Sequence, residues 1–394
     1  MTKPVILAAC RTAIGSAFRG SLTETSAFDL ADVVIAEALQ RSGLEADDVD
    51  DVVLAEGLYG GGVIARHAAI TAGLTHAPGL AVNRHCAASL ASVQVAAAEV
   101  AAGMADAVIA GGVSSPSTSP KSSWRQPGTT EVTDQWISPS HPDSPEAPNL
   151  DMSITVGWNA ATLGDVTREE MDAWAARSHQ RAVASIDRGD FADEIVAMKV
   201  TRGDGEIITW DTDEHPRRGS TVEKLGTLKP LHPEIDGFSI TAGNASGIND
   251  GAAAVMVASP ELAEERGMAP LATILGWASV GVDPAETGMA NVTVIPKALA
   301  RAGVELADVK RFEINEAFAS VLVATTRQLG IDEDMVNVNG SGCSLGHPVA
   351  ATGGRMLVTL IHELRRQGGG IGVASMCAGG GMGAATVIEV PAPA

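Results

Sequence analysis

Short apolar runs alternate along the chain with segments of helical period. The run Pro4-Val-Ile-Leu-Ala-Ala-Cys10 ends at Arg11 and predicts a first core strand. A helix closing near Gly43 leads through an acidic loop to a buried strand at Val52-Val53-Leu54. Cys86 opens an Ala-rich helix former that stops at Gly103, followed by the strand Ala107-Val-Ile-Ala110. Further on come a helix closing near Gly303, a strand at Phe312-Glu313-Ile314, a helix over Gly353–Arg366 and a strand over Ile371–Ser375. Strands that alternate with helices predict an α/β protein layered about central sheets.

The second series repeats the first. A shift of 260 residues places Ala38, Leu39, Arg41, Gly43, Glu45, Asp48 and Val49 on identical residues, seven of the twelve positions 38–49, and Glu56 on Glu316. Chance gives about one match in such a window, so the two stretches are copies. With small gaps the likeness continues: Val82-Asn83 leads into Cys86, and Val338-Asn339 leads into Cys343 and His347. Two similar halves packed about a pseudo-twofold axis follow from this.

Between the halves the pattern breaks. Residues 114–150 hold seven prolines among many Ser and Thr and predict irregular covering structure. A helix then starts at Thr167, with Glu170 completing a capping box, and closes at Gly189. Three domains are expected: a first half over 1–118 completed by a returning strand within 250–268, an insertion over 119–249 folding over that first half, and a second half over 269–394.

Composition narrows the function. Forty-eight acidic against 27 basic residues leave a net charge of −21 in 394 residues, which excludes a general nucleic-acid binder and adsorption to anionic membranes. Aromatics at 3% and 43 glycines point to an interior of Ala, Val, Ile and Gly that lets backbones approach closely. The four cysteines Cys10, Cys86, Cys343 and Cys377 are too scattered for a disulfide scaffold and show no CxxC spacing, which argues against zinc or any other metal site. Free thiols, no signal-peptide pattern and no 18-residue apolar stretch read as cytoplasmic.

Four places carry chemistry. Cys86 precedes a helix, where the macrodipole would lower a thiol pKa and make it a nucleophile; taken alone, a free cysteine is more often a small buried hydrophobe. His347, between Gly346 and Pro348, is either a positioned base or a loop histidine with its bonds satisfied. Cys377 runs into Gly379-Gly380-Gly381, where backbone N–H groups at a strand end could hold an oxyanion. Asn315, after the strand of the second repeat, either orients a ligand or water or caps the next helix. Equivalent strand and helix ends of a duplicated fold can face one site, so the four together favour an enzyme.

At these residues the chain resembles the thiolase family of acyl-CoA acyltransferases. The carrying segments are Val82-Asn-Arg-His-Cys86, Thr241-Ala-Gly-Asn-Ala-Ser246 through Asp250, Asn315-Glu-Ala-Phe318, Asn337-Val-Asn-Gly340, Gly346-His-Pro348 and Met376-Cys-Ala-Gly379 through Gly383. The resemblance implies a thiolase-like duplicated α/β/α/β/α fold, five strands in each half, an inserted loop domain, and a homodimer or homotetramer. It implies Cys86 as acylated nucleophile, His347 as its base, Cys377 as second acid/base, Asn315 as holder of a water in one oxyanion hole, and the N–H groups of Cys86 and Gly379 as the other. No permanently bound cofactor is implied; coenzyme A and acyl-CoA are substrates. Residues 215–232 carry a net +3 that could meet coenzyme A phosphates, with Arg217 and Lys224 as contacts, and Ser246 matches a family serine near the coenzyme. The chain departs from the family at Ala88, Ser114, Ser341 and Cys343. Cys377 argues against a ketosynthase-like condensing enzyme, and the four retained groups argue against a non-catalytic acyl-CoA-binding subunit.

Overall fold

The computed structural model describes residues 3–59 and 63–392, so the outer limits expected for the first and last domains, 1 and 394, lie outside the described residues. The first half contributes strands β1 (Val5–Thr12), β2 (Asp51–Ala55), β3 (Leu80–Val82), β4 (Ala107–Ser114) and β5 (Asn249–Ala258). The second contributes β6 (Ala272–Gly281), β7 (Val309–Ile314), β8 (Gly370–Ala378) and β9 (Met382–Val390). Their spatial order is β7-β8-β9-β6-β1-β5-β4-β2-β3, and β1 joins β6 through Val5–Thr273 and Ile6–Ala272. Reading outward from that seam, each half runs first strand, last, next to last (β4 or β8), then second, and the pairings carry the same parallel and antiparallel signs. The duplication seen in the residues is therefore a duplication of topology. It is incomplete at one edge: where the first half has β3, the second has an isolated bridge from Val336 to Phe312, so its described residues form four strands of this sheet rather than the expected five.

Local chemistry repeats as well. Helix α1 (Ala27–Ser42) ends on Gly43 with φ +71, and its counterpart α4 (Ala290–Ala302) ends on Gly303 with φ +69, the left-handed cap that glycine adopts without strain. After each comes a short helical turn capped reciprocally by Glu45 with Asp48, or Glu305 with Asp308.

Two helices fill the centre, α2 (Ala88–Ala101) and α6 (Thr352–Arg366). Their Leu90, Val93, Val100, Met356, Leu360 and Leu364 share one core with Val53 and Val255 of the first sheet and Met376 and Ile388 of the second. α2 is apolar on nearly every face, and such a helix is stable only when buried all round, which is where a layer between two sheets puts it. α6 is amphipathic, ends in Arg365 and Arg366, and buries Arg355 against Glu313. With α1 outside the first sheet, and α4 and α5 (Ala319–Leu329) outside the second, the layers run α/β/α/β/α.

The segment between β4 and β5 does not simply lie over the first half. Phe191, Ile195 and Trp210 join the first core, whereas Val156, Met171, Trp174, Ala175 and Phe238 join the second. Helix α3 (Arg168–Arg188), capped by Thr167, Glu170 and Gly189 as expected, reaches the second half through Arg177 to Glu333 and Arg181 to Asp334 and the Val336 carbonyl. Its buried face, including Met171, Trp174 and Ala175, is what selects that side. Arg11 ties the rest to β1: fully buried, it pairs with Glu194 (2.7 Å) and Asp213 (2.8 Å).

Candidate active site

Cys86 lies at the end of a tight turn. Asn83 Oδ1 accepts from the His85 N–H (2.9 Å), His85 takes φ +45, and the Ala87 and Ala88 N–H groups close back on the Arg84 and His85 carbonyls. Arg84 donates to Ser279 Oγ on β6 (2.6 Å), which fixes the turn to the other half. Cys86 precedes the first residue of α2 by two positions and is half-buried. Its sulfur is met by the Gly379 N–H and by its own, yet burial outweighs both and raises the thiol pKa. The helix-dipole expectation of a lowered pKa is thus corrected: the sulfur stands outside the helix, and desolvation is the larger effect. Cys377, near the end of β8, is fully buried; burial, with Cys86 close by, pushes its thiol up to about 12.

His347 is held from three sides. Its N–H donates to Asn249 Oδ1 (3.0 Å). Thr352 Oγ1 lies 2.7 Å from Nδ1 and gives its own proton to the Pro348 carbonyl (2.9 Å). A hydroxyl whose proton is so committed must accept from Nδ1–H, which leaves Nε2 as the unprotonated nitrogen. Burial, with Arg355 nearby, lowers the imidazole to about 3, so it stays neutral. Asn315 presents Nδ2 to that Nε2 at 3.4 Å, and its N–H extends the sheet by donating to the Ser375 carbonyl of β8 (3.0 Å). Asn315 Oδ1 is buried without a partner among the described residues. Gly342 allows the close approach here: a Cβ on it would sit 2.8 Å from that oxygen and 2.6 Å from the Glu316 carbonyl.

Beneath lies Glu316, fully buried, whose carboxylate accepts from Trp174 Nε1, Ser178 Oγ, Asn337 Nδ2 and the Cys343 N–H at 2.6–3.0 Å. The structure therefore forms two groups at neighbouring sheet ends, Cys86 with Gly379 and Cys377, and His347 with Asn315. A thiol, a neutral base, a second thiol and inward-facing N–H donors can move an acyl group and shuttle one proton. No set of three His, Cys, Asp or Glu side chains among the described residues is arranged to hold a metal.

The residues expected to meet coenzyme A are spread out. Ser246 N–H donates to the Ala317 carbonyl (2.9 Å), next to Asn315 and Glu316. Arg217 is exposed, its backbone N–H held by His179 Nδ1. Lys224 Nζ donates to the Gly219 carbonyl, and the neighbouring Arg218 pairs with Asp187 of α3, which reduces the free positive charge. The departures at the site have local accounts. Ser341 Oγ accepts from buried Arg355 (2.8 Å), Cys343 sulfur faces the Asn244 and Glu316 carbonyls, and Ala88 packs with Ala55 and Ala350.

Comparison with known proteins decides the family. The descriptions "Thiolase, N-terminal domain" and "Thiolase, C-terminal domain" match residues 4–261 and 268–390. The chain belongs to the thiolase family. It is an acyltransferase. It is 42% identical to an acetyl-CoA acetyltransferase of Pseudomonas aeruginosa, over 98% of this chain and 99% of that one. Among solved structures it resembles the Bacillus anthracis acetyl-CoA acetyltransferase (TM-score 0.90, 38% identity) and human mitochondrial 3-ketoacyl-CoA thiolase (TM-score 0.89, 33% identity), each over 99% of both chains.

Sequence reasoning missed several groups that hold this thiolase's site. Thr352 follows His347 by five residues, and Asn249 lies in the segment ending at Asp250, but neither spacing reveals which ring nitrogen or backbone N–H it binds. Glu316 was visible only as a motif residue and as the repeat match of Glu56, with no sign of its role, because its donors come from residues 174, 178, 337 and 343.

Proposed function

We propose that this thiolase carries the acyl group on Cys86, in reversible thiolytic cleavage of a 3-ketoacyl-CoA or the reverse Claisen condensation. The observation that carries the reading is the sulfur of Cys86 set against the Gly379 N–H, with Cys377 beside it. In the cleavage direction His347 Nε2 takes the Cys86 proton as the sulfur attacks the ketone carbon. The oxyanion rests on the Cys86 and Gly379 N–H groups. Its collapse breaks the bond between the α and β carbons, and the electron pair leaves as an enolate whose oxygen faces Asn315 and His347. Cys377 protonates the enolate carbon; a thiol pushed up to about 12 is a matched acid for so basic an anion. Coenzyme A then attacks the acylated Cys86 as the Cys377 thiolate accepts its proton. The bond from the acyl carbon to the Cys86 sulfur breaks, and the departing thiolate takes its proton back from His347.

Arg217, Lys224 and Ser246 contact the coenzyme in this reading, and the division at 119, 250 and 269 separates the halves from the coenzyme-binding insertion. Coenzyme A is a substrate, with no permanent cofactor. The exposed edge of β3, Leu80 and Ala81 included, supports a homodimer, or a homotetramer built from it, since an unpaired edge invites a second chain. Four free cysteines support a cytoplasmic setting. The test is incubation with acetoacetyl-CoA and coenzyme A, following thioester loss and the mass of Cys86: an acetyl adduct with turnover is expected, and the absence of both overturns the proposal.

A further inference from the structure

The hairpin that carries Gly379 has no side chains of its own. Gly379, Gly380 and Gly381 join β8 to β9 beyond the pair Ala378–Met382, with Gly380 at φ +84 and Gly381 at φ +72. Three consecutive glycines have the greatest backbone freedom a chain can have, so the direction of the Gly379 N–H must be set from outside. The segment 282–287 holds the hairpin at Gly381. Val282 N–H donates to the Gly381 carbonyl (2.7 Å), and the Gly381 N–H donates to Thr287 Oγ1 (2.9 Å). The Thr287 hydroxyl gives its own proton to the Pro284 carbonyl (2.6 Å), and Asp283 Oδ1 accepts from the Ala285 N–H (2.9 Å). Thr287 is fully buried. Both polar backbone groups of Gly381 are thereby bound to one segment, whose first residues are fixed by Pro284 and the Asp283 cap.

We infer that Thr287 is a positioning residue for acyl transfer: its hydroxyl holds the glycine hairpin so that the Gly379 N–H stays aimed at the oxyanion formed on Cys86. The inference rests on the reading of Cys86 as nucleophile and Gly379 as oxyanion donor. Thr287 acts two residues away from the donor, through the hairpin backbone. A valine keeps its shape but offers no acceptor, and a buried N–H left without one drives the hairpin to a new arrangement. Misplacement by about 1 Å costs about 10²-fold, and outright loss of an oxyanion donor about 10²–10³-fold.

The test uses full-length Thr287→Val and Thr287→Ser in thiolysis of acetoacetyl-CoA, with rates expressed per Cys86 acetylated at end point. Thr287→Val is expected to lower kcat by about 10- to 100-fold with KM within about threefold, and Thr287→Ser, which keeps the hydroxyl, to stay within about threefold of the parent. Loss of folding alone reduces the number of acetylated sites, not the rate per site. If the valine variant does not fold, Thr287→Ala takes its place against the same outcomes. A parent-like kcat per site in the hydroxyl-free variant overturns the inference. So does a serine variant as slow as valine, because packing of the methyl group would then be the cause. A parent enzyme that turns over without acetylating Cys86 strikes at the underlying reading instead, and that arm is measured first.

Discussion

In the first half the chain leaves an exposed edge strand, β3, and turns through Asn83 and His85 into a half-buried thiol. In the second half the corresponding stretch is covered. Val336 bridges Phe312, Arg181 of α3 donates to the Val336 carbonyl, and residues 339–348 are buried without a break. Asn83 uses its side chain on its own turn, whereas Asn339 links Ser185 of α3 to Glu363 of α6. The strands differ likewise. A shift of 260 sets Glu313 and Asn315 of β7 and its end against Val53 and Ala55 of β2. One copy thus stayed apolar around the half-buried Cys86. The other became a polar scaffold around an imidazole, and the insertion supplies much of the scaffold through Trp174, Ser178 and Ser185.

The largest effect expected from this contrast lies in the two cysteines that follow equivalent turns. Cys86→Ala should abolish transfer, a loss of at least about 10⁴-fold in kcat, while coenzyme A binding measured by calorimetry stays largely intact. Cys343→Ala, whose sulfur faces two carbonyls of the scaffold, should leave kcat within about threefold and cost about 1–2 kcal/mol in denaturant unfolding. Equal loss of activity in the two variants would break the comparison.

A smaller effect is expected on the imidazole side. Thr352→Val removes the acceptor that keeps the proton on Nδ1, so part of the His347 population should adopt the other tautomer, with Nε2 protonated and unable to take the Cys86 proton. A fall in kcat of about 10- to 100-fold is expected, with Thr352→Ser close to the parent. Because burial holds His347 at about 3, no acid limb near its ordinary 6.5 should appear in kcat for the parent. A limb at that pH that vanishes in His347→Gln would show the ring to be solvated.

How much of this was legible beforehand depends on the range of each interaction. Gly43 and Gly303, and the Glu45–Asp48 and Glu305–Asp308 caps, are contacts within three or four residues, so the repeat and its helix ends could be read directly. Cys86, His347, Cys377 and Asn315 stood out because each lies at an equivalent strand or helix end of the repeat and within a short motif. Thr287, Asn249 and Glu316 did not, since their partners lie about 20 to 140 residues away. The direction of the Cys86 shift was misread for the same reason: the helix that would lower it is local, whereas the burial that raises it comes from packed layers. The side taken by α3 likewise rests on a partner, Glu316, 138–142 residues from Ser178 and Trp174.

The finest probe of the contrast is the carboxyl that replaces Val53. Glu313 is buried on β7 and accepts from Arg355 Nη1 (3.0 Å). Burial pushes its pKa up to about 8; Arg355 opposes the rise, and Glu316 and Glu194 add to it. The unfolded chain releases this proton near the ordinary 4.5, so between about 4.5 and 8 the folded state binds a proton that the unfolded state does not. The contribution to stability is therefore fully present below 4.5 and declines as pH rises through 8. Glu313→Gln has nearly the same shape and stays neutral, so its stability should lack that decline. The difference in unfolding midpoint between variant and parent should be near zero at pH 5 and shift in favour of the variant by pH 8. Kept at every pH, a constant deficit in the variant would mean that Glu313 is ionised throughout and paired with Arg355. The scaffold would then be a salt bridge held by charge, and the second half would differ from the first by an ion pair and not by a shared proton.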